Sequence, residues 1–321
     1  MDITIGIDIG GTNTVIGFVT KEGKSLHETS FRTTDYPTID PYIKNLHDTI
    51  NTILSEHSDW NLQGIGVGAP NANYHNGTIE EAPNLAWKGT VHFCKLLEDH
   101  FPNIITAITN DANAAAMGEK MYGAAKELSD FVMITLGTGL GSGLFVNGDL
   151  VYGHDGFAGE LGHTLVYENG RECGCGNKGC LETYVSATAM VRTMAEILCN
   201  SSKPSTLRDV PYNEMTSFSI QRALENGDEL AKECFEYTGK ILGRKLADLV
   251  CHISPSHIFL FGGVAKAGNL IIDPTKRSME EHLLTIFKNK IKIEQSGLLN
   301  ENAAVLGASA LAWKELEKRS S

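Results

Sequence analysis

The chain has 321 residues, 42% of them hydrophobic, and a formal net charge of −12. That length supports a substantial core and two domains, and the acidic balance disfavours a general attraction to nucleic acid or to an anionic membrane. The opening MDITIGIDIGG lacks a basic-then-apolar leader, no apolar run reaches the ~18–20 residues of a membrane span, and seven cysteines, an odd number, fit a reducing cytoplasm.

Ile3, Ile5, Ile7 and Ile9 alternate with Thr4, Gly6 and Asp8, the period of a half-buried strand. Gly10, Gly11, Thr12 and Asn13 make a turn, and Val15 to Val19 returns. Glycine at such a tip permits positive φ and close approach of backbone to a ligand. The design recurs at Phe131–Leu136, Gly137-Thr138-Gly139-Leu140-Gly141-Ser142-Gly143 and Leu144–Val146. With a shift of 127, Ile7 falls on Ile134, Gly10 on Gly137, Phe18 on Phe145 and Val19 on Val146. This is the pattern of an internal duplication, two domains each opening with a glycine-tipped hairpin. One such hairpin is ordinarily a tight turn. Two in duplicated positions point to backbone N–H groups, at 10–13 and 137–140, cradling one polyphosphate. No GxxxxGK[ST] occurs, and Gly139 to Gly143 leads into a strand, not the helix of a dinucleotide fingerprint. Asp8 is placed to hold Mg²⁺, directly or through water; the competing reading is an aspartate bonded to its own turn.

Residues 41–57 carry Ile43, Leu46, Ile50, Ile53 and Leu54 at helical spacing. A buried strand is expected at 64–70, a turn at 73–77, an irregular loop with Asn84 at 83–87, a helix from 93 and a strand at 104–109. Asn110 and Asp111 then open an alanine-rich helix. Asp111 reads as a helix N-cap and as a general base at the carboxyl end of a strand, where α/β proteins hold ligands; both can be true.

His163, Cys173, Cys175 and Cys180 fall within eighteen positions. Zinc takes four such ligands in a tetrahedron, and a closed site is structural. Gly174, Gly176 and Gly179 allow the tight turns that bring three thiolates together, and Glu160 and Glu182 bracket the segment. The competing reading, ordinary cysteines in a loop, fits poorly with three in eight positions beside Gly, Asn and Lys. Helices are expected at 184–198, 219–226, 228–253 and 302–318, with a polar surface insertion at 200–217 and a short strand at 291–293. A strand at 256–265 runs into Gly262 and Gly263, a pair that either turns the chain or lets a flat ring lie against the backbone. A hydroxyl nucleophile needs a carboxylate to take its proton, and Asp111 is the candidate. Asn84, Asn110, Glu160, His163 and Glu182 offer the donors and acceptors that vicinal hydroxyls require. With one ring nitrogen of His163 on zinc, the other is tautomer-fixed and can contact substrate.

The segments DIGGTN at 8–13, GAP at 68–70, PNLAW at 83–87, NDANAAAMGE at 110–119, LGTGLGSG at 136–143, GELGH at 159–163, CGCGNKGCLE at 173–182 and FGGVA at 261–265 together resemble the ROK sugar kinases, in the actin and hexokinase superfamily of ATPases, nearly end to end. The resemblance implies an α/β fold of two duplicated actin-like (ribonuclease H-like) domains with a cleft between them. The N-terminal domain would be 1–112 plus 303–321; the larger C-terminal domain, 113–302, would hold the zinc loop at about 159–182. It implies ATP-dependent phosphorylation of a hexose at the 6-hydroxyl, glucose being the commonest substrate, with ATP, Mg²⁺ and structural Zn²⁺. Asp111 would be the base; Asn84, Asn110, Glu160, His163 and Glu182 would contact the sugar; Gly11, Thr12, Thr138, Gly139 and Gly263 would line the nucleotide site; His163 and the three cysteines would bind zinc. A cytoplasmic homodimer or homotetramer is implied, with no nucleic-acid or membrane partner. Fructose, mannose, allose, N-acetylglucosamine and N-acetylmannosamine are alternative substrates. A non-catalytic sugar-sensing regulator is a second reading, opposed by Asp111, both hairpins and the missing DNA-binding helices. A sugar-independent actin-like ATPase is a third, opposed by the zinc loop.

Overall fold

The computed structural model describes residues 1–320. The chain separates into two compact units: residues 1–127, 150–158 and 300–321, and residues 128–149 and 159–299.

The first unit is built on β1 (Asp2–Ile9), β2 (Asn13–Thr20), β3 (Ser25–Arg32), α1 (Ile39–Glu56) and β4 (Asn61–Gly68). Short strands β5 (Ala72–Asn73), β6 (Thr78–Glu80) and β7 (Thr90–Val91) form a small sheet of their own. Then come α2 (Phe93–His100), β8 (Ile105–Thr109) and α3 (Asp111–Met121). The main sheet runs β3-β2-β1-β4-β8. β1 is antiparallel to β2 and parallel to β4, and β4 is parallel to β8. Helix α1 starts at Ile39, so Pro41 sits in its first turn, where a missing N–H costs no helical bond.

The second unit contains β9 (Phe131–Leu136), β10 (Leu140–Val146), α4 (Ala187–Asn200), α5 (Ser217–Glu225), α6 (Glu229–Ile253), β12 (His257–Phe261), α7 (Asn269–His282) and β13 (Lys292–Gln295), and the division between the units falls within the two-residue β11 (Asp149–Leu150). Its sheet runs β11-β10-β9-β12-β13, the same succession as in the first unit: an antiparallel hairpin whose first strand pairs in parallel with a later one. The final helix, α8 (Ala303–Ser320), belongs to the first unit.

Two expectations change here. β1 is not half-buried. Thr4 is as buried as Ile3 and Ile5, and its hydroxyl bonds Ser309 of α8 at 2.7 Å. Glycine makes this possible, since a Cβ on Gly6 would lie 1.9 Å from Val305 O and one on Gly66 1.7 Å from Ala308 O. α8 therefore rests on the sheet at backbone distance. The duplication also slips by one. Ile5 pairs with Phe18, whereas Val132 pairs with Leu144, because the second turn is a residue shorter. Leu144, not Phe145, is the counterpart of Phe18.

The expected domain boundary at 112/113 falls just inside α3, a helix that stays in the first unit and packs there on α8. A Cβ on Gly307 would lie 1.6 Å from Ala114 O. The 200–217 insertion is less of a surface loop than expected. It buries Leu207 and Met215, and Arg208 donates to Leu198 O and Lys203 O at 3.0 Å each.

Candidate active site and metal centre

In the first unit, parallel strands end side by side. Asp8 of β1 lies opposite Gly68 of β4, and a Cβ on Gly68 would sit 3.7 Å from Asp111 Cα at the start of α3. Asn110, not Asp111, caps that helix: its side chain accepts from the N–H groups of Ala112 (2.7 Å) and Asn113 (3.4 Å). Asp111 is thereby relieved of capping. One of its oxygens accepts from Ala112 N–H at 2.8 Å, which sets the direction of the carboxylate. The side chain is exposed to solvent, yet protein is dense around it. Accessibility makes it reachable; the poorly polarisable surroundings push its carboxyl above the usual aspartate range. Burial, and then repulsion from Asp111, pushes Asp8 up to about 6. A carboxylate held this way gains from a cation, so the donor set fits Mg²⁺ at Asp8.

The first hairpin closes through a bond from Gly10 N–H to Asn13 O at 2.9 Å, and Thr12 and Asn13 at its tip are exposed. It touches the loop that carries Asn84: a Cβ on Gly11 would come within 2.8 Å of Asn84 O. That loop is anchored by its neighbours. Leu85 and Trp87 are buried, the Trp87 indole N–H donates to Tyr36 O at 3.0 Å, and Lys88 Nζ donates to Leu85 O at 2.8 Å. Asn84 is left exposed.

In the second unit, Gly137 and Thr138 form the exposed tip of the other hairpin. Its carbonyls are held by the start of α4: Ala187 N–H donates to Gly137 O at 2.8 Å and Thr188 Oγ1 to Thr138 O at 2.7 Å. Gly262 has φ +97° and packs on the end of β9, where a Cβ would lie 2.6 Å from Leu136 O; Gly263 faces open space. Glu182 reaches the same hairpin, accepting from Leu140 N–H at 3.2 Å, and a Cβ on Gly139 would lie 2.3 Å from its Oε2. Helix α4 begins three residues later than expected, after a 3₁₀ turn at Leu181–Thr183 that carries Glu182.

The metal-ligand candidates converge. The ligand atoms of His163, Cys173, Cys175 and Cys180 all lie within 4.8 Å of one another. Cys175 Sγ and Cys180 Sγ are 3.7 Å apart, and Cys173 Sγ is 3.6 Å from His163 Nδ1. Tetrahedral zinc with Zn–S near 2.3 Å and Zn–N near 2.05 Å requires edges of about 3.8 Å and about 3.6 Å; these two separations match those edges, and three thiols with one imidazole are a donor set that suits that ion. Nδ1 is the ring nitrogen that faces Cys173 Sγ; Nε2 is on the side of Glu160, whose Oε2 is 3.9 Å away. Gly176 and Gly179 adopt φ of +91° and +78°, and a Cβ on Gly179 would strike Tyr167 O. Gly174 does not share this need: it has ordinary φ and open space around it.

The sequence did not single out Arg171, a buried arginine inside the cysteine loop, or Thr188. A charged residue two positions before a cysteine was the available signal for the first.

The ROK family model matches residues 4–315, and the chain belongs to the ROK family. It is 32% identical over 316 residues to a glucokinase of Halalkalibacterium halodurans, covering 97% of this chain and 95% of that protein. A ROK family glucokinase from Streptomyces griseus, solved in complex with glucose and AMPPNP, is 31% identical and superposes with a TM-score of 0.80 over 97% of this chain and 99% of that one. A xylose repressor of Caldicellulosiruptor bescii is 29% identical over 79% of this chain, which spans 63% of that protein. The two repeated sheets thus form the duplicated actin-like α/β architecture of ROK kinases. Among the described residues, no helix is long and apolar enough to cross a membrane.

Proposed function

We propose that the protein transfers the γ-phosphoryl group of ATP to the 6-hydroxyl of a hexose, with glucose as the first candidate. Asp111 carries this reading: a reachable carboxylate at the ends of parallel strands, oriented by Ala112 N–H and relieved of capping by Asn110. As the sugar oxygen bonds to the γ-phosphorus and the bond to the ADP oxygen breaks, Asp111 accepts the hydroxyl proton. The remaining backbone N–H groups of the two tips would hold the phosphates, those of Gly10, Gly137 and Leu140 being taken by Asn13 O, Gly139 O and Glu182, and Gly262 and Gly263 would flank the adenine. Asp8 would hold Mg²⁺, which when bound neutralises charge on the phosphoryl oxygens. Asn84, Asn110, Glu160, His163 and Glu182 orient the sugar hydroxyls. Asn110 spends its carbonyl oxygen on the cap, so its amide NH₂ is the group offered to substrate. His163 gives Nδ1 to the cysteine cluster and Nε2 to the Glu160 side. Structural zinc, when bound, cross-links the loop and leaves no open coordination position for hydrolysis.

The test is an ADP-release assay over a hexose panel with Mg-ATP, beside Asp111→Asn. Turnover on glucose that disappears in the variant is the expected result. Turnover on another hexose keeps the mechanism and changes the substrate. The similarity to a xylose repressor favours one alternative, a sensor that binds sugar without turnover; sugar binding with no ADP release would select it. Sugar-independent ADP release would point instead to a plain ATPase.

A further inference from the structure

Arg171 lies in the zinc loop two residues before Cys173 and is 7% exposed. Arginine is seldom buried so fully unless it is paired. Its guanidinium donates to Thr183 O (2.7 Å), Thr193 Oγ1 (3.0 Å) and Glu196 Oε2 (2.6 Å), and lies 4.7 Å from the Tyr184 ring centre. Its own amide donates to the Tyr184 hydroxyl at 2.8 Å, and its carbonyl accepts from Gly179 N–H at 2.7 Å. Gly179, Thr183 and Tyr184 bracket the turn that carries Glu182. Thr193 and Glu196 belong to α4, the helix whose first residues hold the Gly137 and Thr138 carbonyls. One buried side chain therefore joins the zinc loop, the Glu182 turn and the helix bracing the second glycine hairpin.

We propose that Arg171 is a positioning residue for the sugar subsite: it fixes the 181–184 turn so that Glu182 keeps its place beside the second hairpin, and does so separately from the metal. This rests on the hexose reading above and deepens it. Zinc would reach the same turn by other contacts, through Cys180 at its start, whose carbonyl accepts from Thr183 N–H at 3.0 Å, and through Cys173, whose Sγ lies 3.4 Å from Glu182 Oε1; no side-chain partner of Arg171 is itself a candidate metal ligand. The task suits a guanidinium. One nitrogen serves Thr183 and the other serves Thr193 and Glu196, a planar fork that a lysine ammonium does not reproduce.

The experiment compares Arg171→Met, Arg171→Lys and the milder Glu196→Gln with the unaltered zinc-loaded protein. Zinc content should stay full in all of them. The hexose KM should rise roughly tenfold in Arg171→Met, the fold-change expected when one hydrogen bond from a charged group to the sugar is lost, with the ATP KM changed less than about twofold. Lysine should not rescue, and Glu196→Gln should shift the same way by less. Hydrogen exchange should quicken in peptides covering 179–186. An unchanged hexose KM, or an equal rise in both KM values, overturns the proposal, as does loss of zinc in these variants. Should Arg171→Met fail to fold, Glu196→Gln decides by the same readouts. Should the unaltered protein turn over no hexose, the functional reading fails by itself. Exchange at 179–186 then decides the role of Arg171, and unchanged exchange rules it out.

Discussion

Two carboxylates, Asp8 near the end of β1 and Asp111 at the start of α3, are expected to titrate abnormally, and each has a measurable consequence. Asp8, raised to about 6 by burial and by Asp111, stabilises the fold only while protonated. A carboxyl raised above its unfolded value contributes stability that is present below the unfolded pKa and lost as the pH rises through the folded one. Ionised Asp8 therefore weakens the magnesium-free protein at neutral pH. Asp8→Asn should raise its melting temperature near pH 8, by on the order of 1–3 kcal/mol of stability, and bring no gain near pH 4. Equal effects at both pH values would discount the burial argument. Asp111, also raised, must be deprotonated to act as a base. The acid limb of the kcat/KM profile should therefore lie above the ordinary aspartate range, the rate falling as pH drops through it. Because Asn110 does the capping, and because ionised Asp111 is itself disfavoured by its surroundings, Asp111→Asn should lower kcat by about 10²–10⁴ with no fall in melting temperature at neutral pH. A large fall in melting temperature would make Asp111 a structural residue instead. Its position at a strand–helix junction was legible in the sequence. The division of labour with Asn110 was not, because both residue types cap helices and only coordinates show which oxygen meets the free N–H groups.

At the scale of elements, the cysteine loop, the candidate zinc site, and the α8 contact differ in how much the sequence disclosed. Thiolate spacing between glycines is a local code, and Cys173, Cys175, Cys180 and His163 do converge. What holds the base of that loop is not local. Arg171 pairs with Glu196 across 25 positions, and no short pattern records that. Cys175→Ser, or chelation, should loosen residues 163–185 in hydrogen exchange and raise the hexose KM more than it lowers kcat. A zinc-free preparation with full activity and the same KM would remove the metal from the account. The α8 contact depends on glycines that the strand pattern counted only as gaps. A Cβ on Gly66 would overlap Ala308 O of a helix more than 200 residues later, so both faces of β1 and β4 are core. Gly66→Ala should destabilise by about 3 kcal/mol or more, since backbone stands in the way and neither partner has a side chain to turn aside. Urea unfolding measures this, and an unchanged midpoint would mean that α8 does not sit so close.

For the whole molecule, duplication gives two sheets of the same strand succession but not the same means of completion. The repeat was legible because hairpin strands keep their periodicity and glycine tips; its one-residue slip was not, since Phe18 and Phe145 align in sequence while the shorter turn pairs Leu144 with Val132. The greater asymmetry lies in the order of the chain. The core of the second unit is complete by residue 299, whereas the sheet that opens the chain is covered by the last helix. Until α8 exists, Thr4, Gly6 and Gly66 face no partner, and a sheet with one bare face cannot bury enough apolar area to offset its ordering entropy. A chain ending at Asn302 should therefore bind zinc and keep slow hydrogen exchange in β9 and β12, while β1 and β4 exchange freely. Adding a peptide of residues 300–321 should restore protection to β1 and β4, because the missing contacts come from one contiguous segment. If the truncated chain keeps β1 and β4 protected without the peptide, α8 is a surface cover and not a part of that core.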